Sequence, residues 1–392
     1  MRRLARCALL ICLGSPGGAA RAQLPGPDSA SGLAPVASAT RFAQAAPSAP
    51  TPLLGTPWTF RAAFQRPDLL RYNRVEGLSV GARAQIRPST PWGPLSLTGI
   101  VRLGTAALDP EGTLTLQRET IERRVTLRVA LDELTPLDER ARDLGLGNSL
   151  LAGIFGRDDG DYYRRWGAML EWTPPTADPR SFRVRGWAER HGGVGNETDF
   201  AVIRAWTDGW SFRPNLVADP GWEYGGSVEL SPAWGADPSL WQGGLDVGLQ
   251  AATGEVDYAR ASVFGRLSLP LPARFSVGIA AGGGTSWGAP PAQRLWYVGG
   301  PSTLRGFDPR TAGGTSFARW RGELARGFSF GRLSLFSDVA WAGARSDARW
   351  GDVLRSAGGG MALLDGLIRV DAAWGLRGTG RFRVDAYLDQ IL

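Results

Sequence analysis

The sequence predicts an all-β fold, a transmembrane antiparallel β-barrel of about sixteen strands. Three observations carry that expectation. From Trp58 onward the chain is a series of runs of about ten residues in which apolar and polar side chains alternate, separated by clusters of Gly, Pro, Asp and Asn. The composition combines 54 Gly, 16 Trp and 43% hydrophobic residues, yet beyond the N-terminus no window reaches the ~18 uncharged apolar residues of a membrane helix. Finally, Trp172, Trp210, Trp234, Trp241, Trp287, Trp341 and Trp350 fall near the ends of the runs, where interfacial girdles form.

Residues 1–22 read as a secretory signal, with basic Arg2, Arg3 and Arg6, an apolar stretch from Ala8 to Gly14 and a small-x-small site at Ala20-Arg21-Ala22. Both cysteines, Cys7 and Cys12, lie inside it, so the exported chain is expected to have no disulfide or thiol chemistry. Bulky Ile11 argues against a lipid anchor on Cys12. Every basic side chain is Arg, and loss of Arg2, Arg3, Arg6 and Arg21 takes the formal charge from +7 to +3. A balance this close to neutral removes the case for a nucleic-acid partner. Residues 23–55, rich in Ala, Pro and Ser, read as a disordered linker, too short for folded periplasmic domains. The barrel is expected over 56–392.

Its strands are expected at 58–66, 76–87, 94–104, 112–120, 122–133, 161–173, 181–191, 222–235, 240–253, 256–270 and 273–287, then at 316–329, 331–343, 352–364, 366–377 and 381–391. Loop parity supports an even count. The connections at 87–93, 173–180, 235–238, 271–273, 329–331 and 364–366 are short and fall on one end, the periplasmic one. The long connections, 134–160, 192–221 and 288–315, fall on the other. The first run is hemmed in by Pro57 and Pro67, which suits a weak seam between the first and last strands. Facing is legible in the last two runs. Ile368, Val370, Ala372, Trp374 and Leu376 oppose Arg369, Asp371 and Ala373, and Phe382, Val384, Ala386 and Leu388 oppose Arg381, Arg383, Asp385, Tyr387 and Asp389. Such strands suit lipid on one side and a watery lumen on the other. A soluble β-sandwich alternates similarly but has no need of Trp-rich strand ends.

One stretch breaks the alternation: Leu295-Trp-Tyr-Val-Gly-Gly-Pro-Ser-Thr-Leu-Arg-Gly-Phe307, between the eleventh and twelfth runs. The next run carries Glu323-Leu324, and the one after it Phe336-Ser-Asp338-Val-Ala340. Parity puts Glu323 on the face of Arg319 and Arg321, and Asp338 on the face of Ser334 and Phe336, so both carboxylates point to the lumen.

In these motifs the chain resembles the outer-membrane insertase and translocase superfamily, the bacterial surface antigen family that includes BamA and TamA. The resemblance implies a long extracellular loop folded into the lumen, with Arg305 of the Arg305-Gly306-Phe307 tip paired to carboxylates on the wall. Glu323, Phe336 and Asp338 would be the wall partners. Arg offers a planar fork of donors suited to carboxylates, and Gly299, Gly300 and Gly306 would permit the backbone of a hairpin bent back on itself. The chain departs from the pattern at Leu304 (Val expected), at Ala340 (Gly expected), at its last residue Leu392 (aromatic expected) and in carrying no periplasmic repeats.

By this resemblance the protein is expected in the outer membrane, among its lipids and lipopolysaccharide. There it would assist insertion, assembly or translocation of client outer-membrane or secreted proteins, with a soluble periplasmic partner replacing the missing repeats. The alternative is a passive channel for small solutes. No enzyme activity, cofactor or metal is expected. His191, the single histidine, reads as a surface residue beside an outer loop. Asp158, Asp159 and Asp161, with Tyr162 and Tyr163, read as a solvated loop sooner than a cation site. Gly282-Gly-Gly284 reads as close packing or strand bending.

Overall fold

Strand formation follows the alternation. In the computed structural model Leu333 and Leu335 are exposed on the outer face while Ser334, Phe336 and Asp338 are buried on the inner one. The structure describes residues 58–62, 69–90, 93–137, 144–174, 180–235, 237, 239–364, 368–377 and 380–388. The expected signal (1–22) and linker (23–55), Pro57, Pro67 and Leu392 lie outside them. Two compact units divide the chain, Met1–Gly32 and Leu33–Leu392, and all described residues belong to the second.

That unit is a large antiparallel sheet in which each wall strand pairs with the next in sequence. It is a barrel of outer-membrane type, with sixteen wall positions among the described residues. The first is shared by β1 (Trp58–Ala62) and β2 (Leu70–Asn73), which pair with the two halves of β3 (Gly77–Ile86). Two-residue β4 (Ser89–Thr90) leads into β5 (Gly93–Gly104), followed by β6 (Pro110–Glu119) and β7 (Arg124–Pro136). Helix α1 (Leu146–Phe155) precedes β8 (Tyr162–Thr173), β9 (Arg180–Gly193) and β10 (Gly221–Trp234). Next come β11 (Gln242–Gly254), β12 (Tyr258–Leu271) and β13 (Phe275–Gly288). A small hairpin, β14 (Trp296–Val298) with β15 (Ala312–Gly314), forms a two-stranded sheet of its own that packs on β16 and β17 of the wall. The wall ends with β16 (Ser316–Phe328), β17 (Gly331–Gly343), β18 (Leu354–Leu363), β19 (Ile368–Gly375) and β20 (Phe382–Leu388).

The structure corrects the sequence reading in places. Pairing of the first wall position with β3 extends past the expected bound of 66, through Leu70–Asn73, to the buried turn Arg74-Val75-Glu76. The connection between β7 and β8 is not all irregular, because Leu146–Phe155 forms a helix that ends at Gly156 (φ 71°). There the N–H groups of Gly156 and Arg157 bond the carbonyls of Ala152 and Leu151, a glycine-terminated helix end. Trp172, Trp234, Trp241 and Trp287 sit half-exposed at strand ends. Trp210 does not join them; it lies in the β9–β10 connection with its ring 4.8 Å from Phe212. Trp341 is half-buried near the end of β17, and the Trp350 side chain lies outside the described residues. The glycines Gly282, Gly283 and Gly284 lie in β13, where added Cβ atoms would meet the Phe264 ring, the Phe317 carbonyl and the Phe317 ring below 3 Å. Close packing is what they serve.

Candidate functional site

The connection from β13 to β16 enters the barrel and is held there first by apolar packing. Val298, Leu304, Phe307, Phe317 and Ala340 form a buried cluster flanked by Phe264, Trp296, Ala312 and Leu354. The loop tip is a tight turn: the Gly300 N–H bonds the Phe307 carbonyl (3.0 Å), and Leu304 N–H bonds the Gly300 carbonyl (2.9 Å). Thr303 Oγ donates to the Gly299 carbonyl and accepts from its N–H. Gly299 (φ 128°), Gly300 (φ 79°) and Gly306 (φ 81°) hold backbone angles that other residues seldom adopt. At Gly306 the backbone of β19 is so close that a Cβ would lie 3.1 Å from the Gly375 N.

This turn delivers Arg305, 2% exposed, to the wall. Its Nε and Nη2 donate to the two oxygens of Asp338 at 2.7 and 2.6 Å, a fork-on-fork pair, and its backbone N–H adds a third bond to Asp338 at 3.2 Å. Nη1 reaches Glu323 and Asp371, both at 3.4 Å. The guanidinium carbon lies 3.4 Å from the Phe336 ring centroid, so Phe336 forms a face under the cation. Three carboxylates around one arginine are not balanced by it alone. Arg369 donates to Glu323 (2.6 Å) and Asp371 (3.0 Å), Arg321 approaches Asp338 (3.5 Å) and Arg332 approaches Glu323 (3.6 Å). Arg321 and Arg319 also donate to the carbonyls of Pro301 and Ser302, which fixes the loop's other flank.

The structure thus brings Arg305 together with Glu323, Phe336 and Asp338, and puts Phe307 where an added Cβ at Gly375 or Gly380 would meet its ring. Sequence reasoning missed Asp371 and Arg369 as members of the cluster. Their signal was the inward parity of β19, which places both on the face of the other carboxylates.

With the geometry in hand, comparison with known proteins is informative at the level of fold. No known family profile matches the chain, and no curated protein matches it either. Among solved structures, the crystal structure of BamA from Haemophilus ducreyi lacking POTRA domains 1–3 aligns with a TM-score of 0.56 at 13% identity, over 85% of this chain and 70% of that one. The chain shares that barrel's fold. CdiB from Escherichia coli aligns with a TM-score of 0.46 at 15% identity, over 86% of this chain and 63% of that one. CdiB from Acinetobacter baumannii gives 0.42 at 13%, over 81% and 56%. This chain therefore spans less than two thirds of either CdiB chain.

Two of the residues set aside in the sequence belong to a second anchor of the same loop. His191 is not on the surface. It is 2% exposed on β9, edge-on to Tyr163 (4.9 Å) and within 3.3 Å of Gln293 Nε2. Gln293 bonds the Asp219 backbone, and Arg294 donates to Glu223 (3.0 Å), which also accepts from Trp187. Long-range pairing of residues about a hundred positions apart buries an imidazole that its local sequence leaves at a strand end.

Nor is the acidic stretch solvated. Asp158, Asp161, Tyr162 and Tyr163 are buried. Asp158 accepts from the Arg74 N–H (3.0 Å), Asp161 accepts from Arg74 and Arg213, and Asp159 accepts from Arg157 and Arg383. Burial alone would raise the Asp159 carboxyl, but Arg157 and Arg383 beside it hold it below the usual carboxylate range. Among the described residues no group of three or more His, Cys, Asp or Glu is arranged to hold a metal.

Proposed function

We propose that this protein is an outer-membrane barrel that assists insertion, assembly or translocation of other envelope components at a seam between its first and last strands. One observation carries the reading: in the outer half of the barrel the edges of those strands are satisfied by side chains of an outer connection. Leu78 directs its N–H and carbonyl to Thr105 on its other side, so Tyr72, its partner in β2, turns its N–H toward the seam. That N–H bonds Ser149 Oγ at 3.0 Å, and the Arg74 N–H bonds Asp158 at 3.0 Å. On β20 the Val384 carbonyl accepts from Arg157 Nη1 at 2.8 Å. Edges held by side chains open at lower cost than a continuous ladder and offer backbone groups to an incoming strand. The fold shared with BamA is consistent with this role.

The rival, a passive solute channel, fits the lumen less well. The β13–β16 connection fills part of it with an apolar cluster and an ionic cluster around Arg305. Planar-bilayer conductance combined with depletion in cells separates the two. The proposed role expects little steady conductance and a loss of other outer-membrane components on depletion. A large, stable, solute-selective conductance with no such loss would overturn it.

A further inference from the structure

Helix α1 lies where a barrel would otherwise continue from β20 to β2. One face packs on the first strand: Ala152 is fully buried with Ala201 and Phe212 against the Tyr72 and Trp210 rings, and Gly153 lies against the Tyr72 ring. The Tyr72 hydroxyl donates to the Phe200 carbonyl at 2.5 Å, tying the β9–β10 connection into the same body. At its C-terminal end Arg157 bonds the Val384 carbonyl and is paired with Asp385 and Asp159, while Arg383 of β20 bonds Asp159 (2.8 Å) and Asp308 (2.6 Å).

The outer face has a different character. Leu150, Ile154 and Phe155, at spacings of four and five, are 44%, 37% and 51% exposed. On the two strands that this connection bonds, outward Leu70, Leu78 and Val80 and, across the seam, Phe382 and Val384 are exposed as well. Those side chains belong to the lipid-facing surface of the wall, and α1 adds a third exposed apolar set between them.

We infer that α1 is a detachable piece of the barrel wall: it closes the outer half of the seam, presents Leu150, Ile154 and Phe155 to lipid acyl chains, and is held to the last strand by Arg157. The inference rests on the barrel fold and stands whichever function the seam serves. Two features make the piece detachable. It contributes side-chain bonds, with no strand ladder of its own, and its link to β20 is ionic. Because Asp308 follows the Arg305-Gly306-Phe307 tip directly, Arg383 joins that link to the lumen loop.

The test is lipid-borne quenching. In the full chain carrying Cys7→Ser and Cys12→Ser, a fluorophore is placed singly at Ile154→Cys, at Val80→Cys as a wall control and at Ser346→Cys on an outer connection. Each protein is reconstituted with phospholipids bearing mid-chain nitroxides, and folding is checked by heat-modifiable gel mobility. Position 154 is expected to be quenched as position 80 is, while position 346 responds only to iodide. Arg157→Ala, which leaves the Asp159–Arg383 pair in place, is expected to lower lipid quenching at 154 and leave it unchanged at 80. Iodide quenching at 154 matching that at 346, or no quenching by either agent, would overturn the lipid-facing placement. Undiminished lipid quenching at 154 in Arg157→Ala would overturn the ionic latch.

Discussion

Removing the Arg305 side chain should loosen the lumen loop without unfolding the wall. Arg305→Ala deletes the two short bonds to Asp338 and the longer ones to Glu323 and Asp371. Asp338 is fully buried, and stripping one partner from a buried pair typically costs about 3–5 kcal/mol. The lower end of that range is expected. Arg321 stays 3.5 Å from Asp338, and Arg369 keeps its bonds to Glu323 and Asp371. Arg305→Lys keeps the charge but loses the fork and the flat contact with Phe336, and should cost about 1–3 kcal/mol. Two readouts suffice: the denaturant midpoint of heat-modifiable mobility, and thiol labelling of Leu304→Cys, whose parent side chain is fully buried. Labelling should be negligible with Arg305 present and rapid with Arg305→Ala. A variant with an unchanged midpoint and a still-protected Leu304→Cys would refute the view that this arginine holds the loop.

Other perturbations test neighbouring parts. Phe307→Ala should cost about 3–5 kcal/mol through the cavity left beside Gly375 and Gly380, read as a lowered midpoint. Gly306→Ala should displace the tip from β19, because φ is 81° and the new Cβ would lie 3.1 Å from the Gly375 N; increased labelling of Leu304→Cys checks it. The Asp159 carboxyl is held below its usual range in the folded chain. Its contribution is therefore complete above the unfolded value, about 4, and is lost as pH falls through the lower folded value. Subtracting the pH profile of Asp159→Asn from that of the parent protein should leave a difference that is flat at neutral pH and shrinks only below about pH 4.

Much of the wall was legible because a strand of a barrel obeys a local rule. Alternation fixes facing residue by residue, so Trp374 and Val384 outward and Asp371 and Asp385 inward follow from parity alone. An arginine among glycines is common in turns, and the loop motif was legible only because the next two runs carry Glu323 and Asp338 with inward parity. Helix α1 went unread although it carried signals, with Leu146, Leu150, Leu151 and Ile154 on one side and Gly156 just past its end. Its role is not local, since Ser149 and Arg157 act on strands more than seventy residues before and two hundred after them. Asp371 and the burial of His191 and Asp158 share that reason. Each depends on which distant arginine or glutamine the fold brings alongside, and period-2 patterning carries no information about that.

On the proposed role, the outer connection leaves the last strand when the seam opens. Arg157→Cys with Asp385→Cys, joined by a reducible bis-thiol cross-linker about as long as the arginine side chain, replaces their ionic contact with a bond that can be made and broken. In cells dependent on this variant, outer-membrane components lost on depletion are expected to be lost after cross-linking and to recover on reduction. Normal levels of those components with the cross-link fully formed would contradict this role of the seam.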